Sequence, residues 1–108
     1  MKEYGSAKEW IEALRDENVS HETIEYGLVE VSPAVRVNAV VSAVVNKAMD
    51  EGIEESFREL FSDDTSFMVN FKVSDVAYAG YFLITGKKLA SGPEIEDLLE
   101  NRDEIFHF

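Results

Sequence analysis

Two long apolar stretches, residues 32–49 and 65–93, are flanked and separated by acidic blocks, and this alternation limits the folds open to the chain. Each apolar stretch carries only +2. Residues 1–31 hold three bases against eight acids, residues 50–64 hold Arg58 against seven, and the segment from Glu94 holds Arg102 against six, for a net charge of −12. A segment that is apolar on every side has to be enclosed, whereas one this rich in carboxylates has to keep a face in water. The pattern is that of enclosed helices alternating with amphipathic acidic ones.

A chain of 108 residues with no spacer forms a single helical domain, 1–108. With 45% hydrophobic residues it can build a core without a covalent staple, and the absence of cysteine means that no disulfide is available. That composition suits a reducing cytoplasm. The polar start MKEYGSAKEW predicts no signal peptide, and no apolar run reaches the roughly 18 residues of a membrane span. A soluble, cytoplasmic protein is expected. The charge repels nucleic acid and anionic lipid, whose binding relies on Lys and Arg at phosphates, so neither is an expected partner.

Local signals predict about six helices. Ser6 caps a first helix with Glu9 three residues on, and Ala7, Trp10, Ile11 and Leu14 follow at helical spacing to about Asn18. Ser20 and Thr23 are alternative caps for a second, with Ile24, Gly27, Leu28 and Val31 inside and Glu22, Glu25 and Glu30 outside. Ser32-Pro33 starts a long third helix. Val37, Val40, Val41, Val44, Val45 and Ala48 form its stripe, and Gly52 ends it; a strand pair is the competing assignment for so many valines. Ile53, Phe57, Leu60 and Phe61 mark a short acidic helix, 53–61, closed by the turn cluster Ser62 to Thr65. Phe67, Val69, Phe71 and Val73 alternate with Met68, Asn70 and Lys72, a period of two that reads as strand over seven residues. Ser74 then caps a helix, apolar all round, that runs to about Ala90. Gly92-Pro93 opens the last, 94–104. The fold class is all-α, with an α+β alternative in which a short strand or hairpin lies near 66–85.

A displacement of 40 residues superposes Ala39 on Ala79, Lys47 on Lys87, Gly52 on Gly92 and Glu54 on Glu94. Each unit is a Ser-capped apolar helix, a Gly and a short acidic helix. The run Ser32-Pro33-Ala34-Val35-Arg36-Val37-Asn38-Ala39 resembles the start of the second helix of a HEAT repeat, and the period near 40 agrees with it over residues 32–101. The second unit departs from that pattern, with Asp75-Val76 where the Val-Arg pair would stand. An orthogonal helical bundle accounts for the same spacing.

No catalytic constellation emerges. Two histidines and no cysteine exclude a closed zinc site, and the His21, Glu25 spacing reads as a surface hydrogen bond or ion pair. Glu51-x-x-Glu54 and Glu94-x-x-Asp97 are spaced too far apart for the carboxylate motif of the helical pyrophosphohydrolases, and Asp63-Asp64 lacks the ligand alternation of a calcium loop. No phosphate loop or nucleophile elbow is present. The chain is read as a non-enzyme without metal or cofactor. Of the aromatic residues Phe67, Phe71, Tyr78, Tyr81 and Phe82, any left exposed beside Asp63-Asp64 would serve as an anchor within a charged rim.

In size, acidity and helical build the chain resembles the small immunity proteins of contact-dependent inhibition and related bacterial toxin systems. The resemblance implies a basic toxin, such as a nuclease domain, as the partner. It places the partner-binding surface on Glu51, Glu54, Glu55, Glu59, Asp63 and Asp64 of the middle block and on Glu94, Glu96, Asp97, Glu100 and Asp103 of the last. There the carboxylates would stand in for nucleic-acid phosphates opposite Lys and Arg. The N-terminal block is expected elsewhere, as a solubilising surface. Two alternatives belong to other classes: a DNA-mimic inhibitor of DNA-binding proteins, and a helical adaptor whose acidity only solvates it.

Overall fold

The computed structural model describes residues 5–68, 71–87 and 100. Over these the chain is an all-α bundle with one small strand pair. Its elements are α1 (Ala7–Leu14), α2 (His21–Leu28), α3 (Pro33–Asn46), α4 (Glu51–Leu60), β1 (Ser66–Met68), β2 (Phe71–Lys72) and α5 (Val73–Thr85).

Four helices start where a short polar side chain can accept from an otherwise orphaned backbone N–H. Ser6 accepts from Glu9, Ser20 from Thr23, Ser32 from Val35 and Asp50 from Ile53, at 3.2, 3.1, 3.4 and 2.9 Å. Such a cap stabilises a helix by about 1 kcal/mol. In α1 the Glu9 carboxylate also reaches back to the Gly5 N–H at 3.4 Å, one residue ahead of the usual capping-box partner.

The core is built around α3, which packs against α1, α2 and α5. Val35, Val37, Ala39, Val40, Val41 and Ala43 are all buried, so this helix is enclosed through most of its length. It is closest to α5 at Gly80, where an added Cβ would lie 2.6 Å from Val40 Cγ1 and 3.4 Å from both Phe57 and Val44. The bare backbone at position 80 lets the two apolar helices meet. A 40-residue displacement of α3 covers 73–86, nearly the span of α5, so the internal period corresponds to two like helices that pack face to face. The fourth helix, α4, closes the assembly by packing against α2 and α5.

Several boundaries depart from the sequence expectations for identifiable reasons. The third helix ends at Asn46 with Lys47 in the left-handed region (φ 50°), not at Gly52. Gly52 is inside α4 instead, and the Glu25 carboxylate of α2 occupies the space that a side chain there would need. The first helix stops at Leu14, well before Asn18, and Val31 leaves the α2 stripe for the following loop, where it is 87% exposed. Val45 is on the outside of α3. The seven-residue strand is a short hairpin: Ser66 pairs with Lys72 and Met68 with Phe71, with an irregularity between them. Lys72, rather than Ser74, precedes the first turn of α5, and the Asp75 carboxylate accepts from its N–H at 3.0 Å. That helix ends at Gly86 (φ 74°), short of Ala90, because glycine takes the left-handed conformation without steric cost. The expected last helix, 94–104, lies outside the described residues apart from Glu100, which is helical.

Gly80→Ala should lower stability by about 1–3 kcal/mol through overpacking against the stiff, β-branched Val40, despite alanine's helix preference of roughly 1 kcal/mol. Urea denaturation of the variant, alone and combined with Val40→Ala, checks this. The second substitution should recover part of the loss.

Candidate functional site

Among the described residues the most concentrated surface charge is on α4, whose sequence divides it cleanly between two environments. Ile53, Phe57 and Leu60 are buried, and at the opposite side Glu51, Glu55 and Glu59 follow one another at i, i+4 and i+8. All three are exposed, and none makes a hydrogen bond or ion pair among the described residues. They form a row of carboxylates about 6 Å apart in rise along the helix.

Two carboxylates of the same block have internal tasks. Glu54 accepts a hydrogen bond from the Tyr81 hydroxyl at 3.0 Å and faces Arg58 at 3.7 Å. Burial, and then the neighbouring Glu54 carboxylate, hold the Tyr81 hydroxyl above its ordinary pKa, which keeps it a donor. Tyr81 also joins an aromatic cluster in which Phe61 stacks on Tyr78 at 4.5 Å and meets Tyr81 edge-on at 5.5 Å. Glu54 is therefore a buttress between α4 and α5.

Asp63 is engaged more deeply. Its carboxylate lies 2.9 Å from Arg36 Nε, with both side chains mostly buried, and it accepts from the Thr65 N–H at 3.1 Å. Arg36 donates in turn to the carbonyls of Glu30 and Val31, each at 2.7 Å. One guanidinium thus ties α3 to the α2–α3 loop and to the loop after α4. Burial pushes the Asp63 pKa up, but the hydrogen bonds with Thr65 and the charge of Arg36 outweigh it, and the carboxyl titrates below its ordinary value. Asp64, its neighbour, is exposed.

The N-terminal block does not stand apart, as its sequence position implied. One oxygen of Asp50 caps α4, and the other meets His21 Nδ1 of α2 at 3.0 Å. The Ile53 N–H is the main cause of the lowered Asp50 pKa; burial acts against it, and His21 adds to the lowering. With Glu25 over Gly52, the start of α4 gathers acids from two blocks, where the helix dipole favours negative charge. His21 pairs with Asp50 across helices; Glu25, its neighbour one turn on, faces Gly52.

Of the remaining expected interface residues, Glu100 is exposed, and Glu94, Glu96, Asp97 and Asp103 lie outside the described residues. None of the aromatic side chains described beside the acidic turn is exposed: Phe71, Tyr78 and Phe82 are half-buried and Tyr81 is buried. The exposed apolar residues here are Val29 and Val31, at 53% and 87%. Their signal was present in Val29-Glu30-Val31 just ahead of Ser32-Pro33, but helical spacing assigned Val31 to the core.

Among the described residues no group of three or more His, Cys, Asp or Glu side chains is placed to hold a metal ion, and no helix is long and apolar enough to cross a membrane. Comparison with protein-family models, curated proteins and solved structures returns no match to this chain.

Asp63→Asn keeps an acceptor for Thr65 but removes the charge opposite Arg36, and should cost on the order of 2–3 kcal/mol at neutral pH. The native carboxyl has a depressed pKa, so its stabilisation is complete above the unfolded value of about 4 and is lost as pH falls through the folded one. Urea melts of both proteins from pH 7 to pH 3 should therefore differ by a constant amount above about pH 5 and begin to draw together as pH falls below about 4.

Proposed function

We propose that this chain is an immunity protein that binds a basic bacterial toxin domain, a nuclease, and occludes its nucleic-acid cleft. The observation that carries the reading is the row Glu51, Glu55 and Glu59, exposed and without partners among the described residues, on a helix whose other side is locked into the core. Carboxylates fixed on a rigid helix can oppose the Lys and Arg that hold phosphates, at less ordering cost than the same charges on a loose segment. The clustering of charge also draws an oppositely charged partner faster than a dispersed surface does.

Speed matters to such a protein because the toxin has to be captured before it acts. Opposed fields raise association toward about 10⁸ M⁻¹s⁻¹, and salt weakens the effect. The expected outcome with a purified toxin domain, taken from the reading frame adjoining this gene, is an association rate that falls at least tenfold between low and high salt while dissociation changes little.

Internal bonding decides which charges to reverse. Glu54 and Asp63 are unsuitable, since their loss disturbs packing, and a base at Glu51 would oppose the dipole in the first turn of α4. Glu55→Lys with Glu59→Lys should weaken toxin binding at least tenfold, measured by calorimetry, with the helical circular dichroism unchanged. Unaltered affinity would leave the adaptor reading. Binding of several unrelated DNA-binding proteins in place of one toxin would favour the DNA mimic.

A further inference from the structure

At the C-terminal end of the acidic row, a shallow groove runs between the α2–α3 loop and the last turn of α4. Leu28, Val29, Val31 and Leu60 supply its apolar lining, and Glu30 and Glu59 its charge. Arg36 and Asp63 also border it, but they are paired at 2.9 Å and neutralise each other. The groove is therefore apolar with a negative rim.

The loop that carries the two valines is held in place. Arg36 takes the carbonyls of both Glu30 and Val31 at 2.7 Å, and the N–H groups of Val29 and Glu30 close on Tyr26 and Gly27 at 3.3 Å. Val31 is thus presented to solvent by a fixed backbone, with little left to order on binding. An apolar centre with a charged border is the anatomy of a binding hot spot.

We infer that this groove receives a single aliphatic or aromatic side chain from a loop of a basic protein, with flanking Lys or Arg residues on Glu30 and Glu59. The inference rests on the proposed capture of a basic partner and names where the specificity of that capture resides. The rim selects the occupant. A second copy of this chain would bring its own −12 against the same carboxylates, and a nucleic acid or anionic lipid would be repelled. Charge on α4 accounts for attraction to any cation, whereas the valines discriminate by shape and burial.

The experiment titrates the full chain, isotopically labelled, with two synthetic pentapeptides, Lys-Arg-Leu-Arg-Lys and the same sequence with Gly at its centre, followed by amide NMR. The Leu peptide should bind about tenfold more tightly, with the largest shifts at Val29, Val31 and Leu60. Val31→Ser, and separately Val29→Ser, should abolish that difference while leaving the Gly peptide's affinity within twofold, since neither changes the charge of the rim; both residues are exposed, so the fold is retained. Equal affinities, with shifts spread along Glu51, Glu55 and Glu59, would overturn the groove while leaving electrostatic capture intact. Failure of both peptides to bind at low salt would overturn the groove and the basic-partner reading together. Concentration-dependent dimers in light scattering that Val31→Ser dissolves would also overturn it, since the surface would then join two copies.

Discussion

Enclosure of α3 is the constraint on which the other elements depend. A helix with Val or Ala at most positions has little surface to offer to water, so it is covered through most of its length by α1, α2 and α5 together. The approach of α5 depends on one missing side chain, at Gly80, whose backbone lies against Val40. Because the two enclosed helices are nearly free of charge, the acids have to reside on the helices around them. The division of the molecule into a neutral centre and a negative periphery follows from packing before any partner is considered.

The parts of this fold that were legible in the sequence are those fixed locally. Ser6, Ser20 and Ser32 each begin a helix because the acceptor and the N–H it satisfies are three residues apart. Helix ends were less legible, since they depend on what packs nearby. Gly52 is a residue type that often ends helices, yet it lies in the first turn of α4, where Glu25 from another helix occupies the space a side chain would need. Lys47 has no terminator's signature and adopts the left-handed conformation all the same. Gly86, which does end a helix, lies six residues before the Gly-Pro pair that advertised an ending.

Charge is subject to the same limitation. A count of acids treats Glu54, Glu55, Asp63 and Asp64 alike, but Glu54 holds Tyr81, Asp63 holds Arg36, and the other two face solvent. These partners lie 27 residues away in the sequence in each case, beyond any local pattern. His21 meets Asp50, and Glu25 meets Gly52, only through the packing of α2 on α4, which brings two acidic blocks of the sequence together at the start of α4. The row at Glu51, Glu55 and Glu59 was legible because it is a helical repeat. The exposure of Val31 was not, because its spacing imitates a core position.

The Arg36–Asp63 pair gives these separate surfaces a common support. Asp63 contributes its carboxylate to Arg36 and its carbonyl to the Ser74 N–H at 2.9 Å, while the Thr65 carbonyl accepts from Val73 at the same distance. The loop that leaves the acidic helix is thereby bonded to the first turn of α5, and through Arg36 to the loop that carries Val29 and Val31. A mostly buried ion pair contributes little net stability compared with apolar residues of similar size. Its distinctive property is that it binds several backbone groups at once with fixed geometry, which apolar packing cannot do. What it sets in place is the relation between a row of carboxylates on one element and two exposed valines on another, so a basic partner would meet charge and apolar surface in a single fixed arrangement.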